Sequence, residues 1–389
     1  MRSAIKQVPK RILIVPNAAV ACSAENLKIE ASLPLLLDPI VACGQQVTLG
    51  AVVFKEIKGN YVDVSNPSWR LYQLNGFQFQ GKLGTIANYL LGLPTYIKCL
   101  FRADFTYIFL PGNVGLIFVL LAFIMRKDYG LYVRGDIIHR NKWLLPFYKL
   151  VIGKSTINLC TGFGLVDYCK KLNPESYPVV PMSPLVGLAN QLSPEKKHMN
   201  SPLRLLYVGQ LTNEKGVQDL LKAIGILVDR NCPIECTVVG DGDGRSDFEA
   251  YVLKHNLENV VTFTGSITDV SALQEYFMHH DVFCLPSYTE GFPRVIYEAL
   301  AFQLLILSTP VGRILDVLEH HKNALIFAPG NVNELSDLLQ QVISDEAFRL
   351  KVQAGGAKTW NELKTMLFSH ENHGTQLLKH LQLNPYQPA

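Results

Sequence analysis

The segment YTEGFPRVIYEAL (288–300) holds two carboxylates eight positions apart, Glu290 and Glu298. Two carboxylates working one glycosidic bond stand about 5 to 9.5 Å apart. If the run is helical, eight residues at about 1.5 Å rise separate this pair by roughly 12 Å. The two are therefore expected to hold different hydroxyls of one long ligand. Gly291 permits a sharp entry from a strand into a helix. Phe292 and Pro293 are expected to begin that helix, with Pro293 at the first helical position, where its missing N–H costs nothing. The opening turn, through Arg294 and Val295, would then aim free backbone N–H groups at an anion such as a phosphate or diphosphate. Solvated glutamates on a helix surface are the ordinary alternative, and the pair alone does not exclude it.

Two further loops strengthen the reading. YVGQLTNEKGVQDLL follows an apolar strand with a turn at Gly209 and Gln210 and places Lys215 just before a helix. A lysine is a mobile point charge suited to a diphosphate. STPVGRILDV follows a later strand and supplies Gly312 and Arg313. Three loops with anion-binding features on one sheet edge weigh more than any one of them. GDGDGR, with Gly240, Gly242 and Gly244, lacks the Gly-x-Gly-x-x-Gly spacing of a dinucleotide fingerprint and follows the second strand of its sheet. It is expected to be a turn beside the ligand site.

The elements that must position these loops are short apolar strands alternating with amphipathic helices. From 204 onward the strands RLLYVG, IECTVVG, VVTFTG, DVFCLP and LLILSTP are separated by helical runs. This pattern predicts a parallel sheet covered by helices on both faces. Asn331 is a plausible cap for the helices that follow. The first half reads as a second unit of the same class, with strands RILIVP, QQVTLGAVV, FTYIFLP and YGLYVRGD and an apolar helix at 114–125. A Pro-, Ser- and charge-rich join separates the two. The expected organisation is a Rossmann-like domain over 1–190, a second over 202–365, and a helical tail over 366–389 that packs back toward the first. Ligands of such α/β sheets bind at the carboxyl ends of the strands.

The chain has 389 residues, enough for two domains. It is 48% hydrophobic and 18% charged, which suits extensive buried strand. Residues 1–190 hold 20 Lys and Arg against 10 Asp and Glu, and the remainder 16 against 23, so the halves carry +10 and −7. A basic first half points to an anionic partner, either a phosphorylated substrate or a membrane surface. The segment HRNKWLLPFYKLVIGKS mixes cations with Trp143, Leu144, Leu145 and Phe147, a composition that can lie on an anionic bilayer or equally pack on its own sheet. No basic run interleaved with stacking aromatics indicates nucleic acid. The eight cysteines are scattered, and the one close pair, Cys232 and Cys236, has no nearby histidine, which argues against a zinc site. The N-terminal apolar run is shorter than a signal core and the apolar stretch at 114–125 falls short of a span, so a cytoplasmic location is expected, with peripheral contact at the inner face of the plasma membrane as the further possibility.

Over about residues 203–345 the chain resembles the retaining glycosyltransferases of family 4. The resemblance covers, in order, GQLTNEKG, VVGDGDGRSDFE, VTFTG, LPSYTEGFPRVIYEALAFQLLILSTPVGR and NALIFAPGNVNEL. It implies the GT-B fold, two facing Rossmann-like domains with a cleft between them, and a UDP- or GDP-sugar donor handled without a metal or other cofactor. It also implies that Glu290 contacts donor-sugar hydroxyls, Glu298 the ribose, the backbone from Phe292 to Val295 the sugar and phosphate, and Lys215 the diphosphate. Glu290 and Lys215 are the catalytic candidates on this basis. There are departures. Gln210 stands where the family usually has Arg, and Arg313 where it often has a second Gly; Arg313 is expected to replace part of the missing charge. PNAAVACSAEN stands in place of the usual Gly-Gly loop after the first strand. VRGD (133–136) occupies the region of a sugar-contacting histidine, which makes Arg134 and Asp136 the acceptor-side candidates.

The expected activity is transfer of a sugar from a nucleotide diphosphate sugar to a hydroxyl of a saccharide or lipid-linked saccharide, in surface-polysaccharide synthesis. A sugar-nucleotide epimerase would use a similar grip, but the extended EGFPRVIYEAL signature favours transfer. An inactive transferase-like subunit is the third reading, kept open by Gln210 and the irregular N-terminal loop.

Overall fold

The computed structural model describes residues 9–16, 20–22, 27–30, 32–54, 61–64, 67–74, 81–134, 142–161, 163–179, 183–189, 202–291, 293–367 and 373–383. The chain divides into two compact units, Met1–Met182 with His370–Ala389, and Ser183–Ser369.

The first unit is built on seven parallel strands, β1 (Arg11–Val15), β4 (Gln46–Ala51), β7 (Arg70–Gln73), β8 (Phe105–Leu110), β9 (Tyr129–Val133), β10 (Ile157–Thr161) and β11 (Ser176–Val179), in the order β11-β10-β9-β8-β1-β4-β7. Every residue of β8 and β9 is buried. Such strands read as continuous apolar runs because both faces of a parallel sheet are covered. Alternate residues serve the two faces. Ile12, Ile14 and Tyr107 pack on one side with α1 (Pro34–Ala42) and α13 (His373–His380). Leu13, Val15 and Ile108 pack on the other with α2 (Gly81–Arg102), α3 (Asn113–Ile124), α4 (Leu145–Lys154) and α5 (Phe163–Lys170). Helix α13 comes from the far end of the chain and lies against α1.

A second, four-stranded sheet in this unit has the order β5-β2-β3-β6, with β2 (Val20–Cys22), β3 (Leu27–Glu30), β5 (Val53–Phe54) and β6 (Tyr61–Val64). The stretch read from sequence only as an irregular loop, PNAAVACSAEN, thus contains β2. Strands of two to four residues are too short for an alternation to be recognised.

The second unit begins earlier than residue 190, because α6 (Pro184–Ala189) packs on α9 (Val270–His279) and α10 (Arg294–Ala301). Its sheet comprises β12 (Leu203–Val208), β13 (Ile234–Val239), β14 (Val261–Gly265), β15 (Val282–Leu285), β16 (Leu305–Ser308) and β17 (Leu325–Ile326), all parallel, in the order β14-β13-β12-β15-β16-β17. The chain winds outward one way from β12 to β14 and then the other way from β15 to β17. The switch point lies between β12 and β15, where open α/β sheets bind ligands.

Helices α7 (Val217–Asp229), α8 (Arg245–Lys254), α11 (Val332–Ser344) and α12 (Glu346–Leu367) complete the unit. Helix α7 buries Val217, Leu220, Leu221, Ile224 and Leu227, the spacing of one apolar helix face. Among the described residues, side chains cap three helix starts here, one of them through Asp345, whose Oδ1 accepts from Phe348 N–H at 2.9 Å ahead of α12. Asp269 accepts from the backbone N–H of Ser271 and Ala272 ahead of α9, and Asn331 accepts from Glu334 N–H ahead of α11. No described helix is long and apolar enough to cross a membrane.

Candidate functional site

The loops after β12 and β15 meet at the switch point of the second unit. After β12 the chain passes Gly209 and Gln210, makes a 3-10 turn at Asn213–Lys215, and enters α7 through Gly216. Gly216 has φ 68°, and a Cβ there would stand 2.0 Å from the carbonyl oxygen of Pro286. Only glycine fits so close an approach in the left-handed region. The backbone N–H of Tyr288 donates to Glu214 O at 2.8 Å, which fastens the two loops together.

This fastening brings Lys215 to Glu290. Lys215 Nζ lies 2.6 Å from Glu290 Oε1, and Ser287 Oγ donates to the same oxygen at 2.8 Å. Ser287 is fully buried, and its carbonyl accepts from Thr309 Oγ1 at 2.6 Å. Tyr207 lies beneath, its hydroxyl donating to Gln210 O at 2.9 Å. Burial pushes the Tyr207 phenol far above its ordinary pKa, and the charge of Glu290 adds to the shift. Tyr288 Oη donates to Asp219 Oδ2 at 2.5 Å, tying the β15 loop to the first turn of α7. The hydrogen bond, first, and burial raise the Tyr288 pKa.

The third loop closes on the same place. Gly312 has φ 63°, and a Cβ there would stand 2.3 Å from the carbonyl oxygens of both Glu290 and Gly291. Arg313 N–H donates to Gly291 O at 2.9 Å. The Arg313 side chain, expected to supply spare positive charge, donates from Nε to Asp316 Oδ2 at 2.7 Å. Its charge is therefore already answered by a carboxylate. The Gly240–Gly244 turn flanks the β12 loop, with Leu211 N–H donating to Asp241 O and Gly244 N–H to Leu211 O.

Helix α10 begins at Arg294, and Pro293 is its N-cap, with φ −75° and ψ 123°. The sequence placed Pro293 one position further in. Its extended ψ keeps it outside the first turn, and the pyrrolidine φ suits either position. Phe292 lies outside the described residues. Because Glu290 precedes the helix, helical rise does not measure its separation from Glu298. Glu298 sits within α10 and accepts from Ser183 Oγ at 2.7 Å. Desolvation raises its pKa above the usual carboxylate value, opposed by the Ser183 hydrogen bond and the Arg294 charge. Arg294 is exposed and Val295 half-buried. The structure thus groups Gly209, Gln210, Lys215, Glu290, Gly291, Gly312 and Arg313 through the three loops, and gives Glu298 a separate partner. Ser183, Ser287, Asp219 and Tyr288 were not found from sequence, since isolated Ser, Asp and Tyr residues carry no spacing signal.

In the first unit Arg134 follows β9, its N–H donating to Leu110 O at 2.8 Å. Its guanidinium carbon lies 5.4 Å from the Phe109 ring centroid and 5.5 Å from that of Tyr132. Asp136 lies outside the described residues. His373, missed from sequence, enters from α13. Its Nε2 is 2.8 Å from Tyr107 Oη, and its ring packs edge-on to Tyr132 with centroids 4.5 Å apart. Burial, with the Arg134 charge adding, lowers the His373 pKa to about 3. Its Nδ1 is buried without a hydrogen-bond partner among the described residues.

Residues 190–359 match the family model described as glycosyl transferases group 1. The capsular polysaccharide biosynthesis glycosyltransferase CapM of Staphylococcus aureus is 26% identical over 203 residues, covering 48% of this chain and 52% of CapM. The chain spans about half the length of the curated relatives it matches. Two solved structures align over nearly all of it. Sucrose-phosphate synthase from Thermosynechococcus elongatus has a TM-score of 0.65 at 15% identity, covering 96% of this chain and 98% of its own. Anabaena Alr3699/HepE in complex with UDP has a TM-score of 0.62 at 16% identity, covering 96% and 99%. By fold this is a GT-B chain of two Rossmann-like domains, and over residues 190–359 it is similar to the glycosyl transferases group 1.

Proposed function

We propose that the chain is a retaining, family 4-type glycosyltransferase of surface-polysaccharide synthesis. It moves a sugar from a UDP- or GDP-sugar to a hydroxyl of a saccharide or lipid-linked saccharide. The observation that carries this reading is the Lys215–Glu290 pair, 2.6 Å apart at the carboxyl ends of β12 and β15. It stands where a sheet of this strand order binds its ligand. The similarity of residues 190–359 to glycosyltransferases supports it.

In this reading Lys215 serves the donor diphosphate and stabilises the charge that grows on the leaving group. Glu290, no longer saturated by Lys215, accepts hydroxyls of the donor sugar. Glu298 accepts the ribose hydroxyls in place of Ser183. The N–H groups opening α10, with Gly291, Pro293 and Val295 around them, border the phosphate and sugar, and the Gly312–Arg313 loop closes over them. The bond from the anomeric carbon to the diphosphate oxygen breaks, and the acceptor oxygen bonds to that carbon on the same face. The acceptor proton passes to the departing phosphate. No protein nucleophile and no metal is assigned a step. Arg134 is placed on the acceptor side.

A thermal-shift panel of UDP-, GDP- and ADP-sugars tests donor choice, since a ligand of the folded state alone raises the melting temperature. A transfer assay with Glu290→Gln then tests the site. The reading predicts stabilisation by a UDP- or GDP-sugar and loss of transfer in the folded variant. Unaltered transfer by Glu290→Gln would remove the site from the chemistry.

A further inference from the structure

We infer that the face of the first unit formed by α2, α3 and α4 is a docking surface for an anionic lipid bilayer. Seven of the eleven exposed large hydrophobic residues among the described residues lie on these three helices and the 3-10 turn that opens α4. A scatter of single apolar residues is normal on a protein surface, but a concentration on one face marks an interaction site.

The helices form one layer. Helix α3 packs against both α2 and α4, and all three bury their other sides in the same core cluster, through Tyr96 and Leu100, Phe118 and Val119, and Val151 and Ile152. Their exposed sides therefore point away from a common core. On α2 the exposed stripe runs Leu90, Leu91, Pro94, Lys98, Phe101 and Arg102, spaced to share one side of a helix. On α3 it holds Leu120 and Ile124, one turn apart, followed by exposed Arg126. Lys127 Nζ lies 5.8 Å from the Phe101 ring, which joins the ends of α2 and α3. Ahead of α4 stands Trp143, 93% exposed, and on α4 itself are Leu150, Lys149 and Lys154.

Charge selects the occupant. Residues 81–102, 113–124 and 142–154 contain no Asp or Glu at all. The charged residues within these helices are therefore cations only, and the exposed acids Asp104 and Asp128 stand just beyond the ends of α2 and α3. A protein partner would have to answer these cations with carboxylates while also covering apolar side chains that protrude from three separate helices. A bilayer presenting anionic headgroups over an apolar interior matches a face of Trp, Leu, Ile and Phe bordered by Lys and Arg. Lysine and arginine can reach the headgroups while their stems lie along the apolar layer. The inference concerns the first unit only and stands whether or not the donor-site reading holds.

Flotation of the full chain with vesicles tests it. Vesicles of phosphatidylcholine alone are compared with vesicles containing phosphatidylglycerol, at low and high salt. The expected result is flotation with the anionic vesicles, weakened by salt, and little with the neutral ones. Lys149→Glu with Lys154→Glu should weaken binding by roughly tenfold or more. Trp143→Ser with Ile124→Ser should weaken it comparably, and salt should matter as before. Both variants should keep the parent's melting temperature, since the residues are exposed. The inference is overturned if the parent does not float with anionic vesicles, if both variants float as it does, or if light scattering finds a dimer that Trp143→Ser dissociates. The last result would assign the face to a second copy.

Discussion

Lys215, after β12, meets a carboxylate 2.6 Å away, whereas Arg134, after β9, lies over the rings of Phe109 and Tyr132 beside a buried histidine. Both cations stand at the carboxyl end of a strand in a parallel sheet. Among the described residues no carboxylate pairs with Arg134. The difference lies in how charge is held in readiness. In the second unit, cation and anion occupy each other, so a ligand bearing both phosphate and hydroxyls can engage both at once. In the first, aromatic faces support a cation without neutralising it, and His373 stays uncharged at neutral pH. An arrangement of the first kind suits a donor with a charged diphosphate. The second holds its cation, among the described residues, on aromatic faces alone, and the proposed function gives it to the acceptor side.

The largest expected effect breaks the paired side. Lys215→Ala should lower transfer by on the order of 100-fold or more, while Arg134→Ala should alter acceptor KM and leave donor affinity unchanged. Steady-state kinetics with each substrate varied in turn would separate the two. If Arg134→Ala weakened donor binding as much as Lys215→Ala, the division of labour would be wrong.

Next is the pH response of the aromatic side. The pKa of His373 in the folded protein, about 3, lies below its ordinary 6.5. Its contribution to stability is therefore complete above pH 6.5 and is lost as pH falls from 6.5 toward 3. At pH 5 the loss is about 2 kcal/mol. Denaturant unfolding of the parent and of His373→Leu at pH 7 and pH 5 should show a smaller pH-dependent loss in the variant. Equal losses would show that another group carries the response.

A smaller effect is expected at the tie between the β15 loop and α7. Tyr288→Phe removes the hydrogen bond to Asp219 and should cost about 1 kcal/mol. Donor affinity should fall several-fold, because the loop that carries Glu290 loses an anchor. A chemical-denaturation midpoint and a donor titration on the same variant would check both. The smallest effect is expected from Arg313→Ala. Asp316 already answers the Arg313 charge, so donor affinity should drop by only about twofold to threefold. No change there, alongside a clear loss in Lys215→Ala, would end the idea that Arg313 compensates for Gln210.

The same contrast governs what could be read from sequence. In the second unit, the strand LILS is buried throughout because both sheet faces are covered there, IECTVV keeps a mostly apolar run around an exposed Glu235, and α7 repeats its apolar residues at the helical period. Asn331 was legible as a cap because its side chain acts within its own turn. The three loops were legible because Gly, Pro and Lys there answer local backbone demands. Contacts made by distant parts of the chain were not. Ser183 reaches Glu298 across 115 residues of sequence, and Tyr107 meets His373 across 266. The strands of the small sheet are too short to register a period. Pro293 was placed one residue off because a proline φ is compatible with both cap and first turn.

The central claim is that Lys215 and Glu290 form a nucleotide-sugar grip. Calorimetric titration of UDP- and GDP-sugars into the parent and into Lys215→Ala tests it most directly. The account predicts saturable binding of one of them to the parent and at least a tenfold loss in the variant, of the order expected from removing one charged contact. Binding of equal strength to both proteins, or no binding of either sugar nucleotide to the parent, would contradict it.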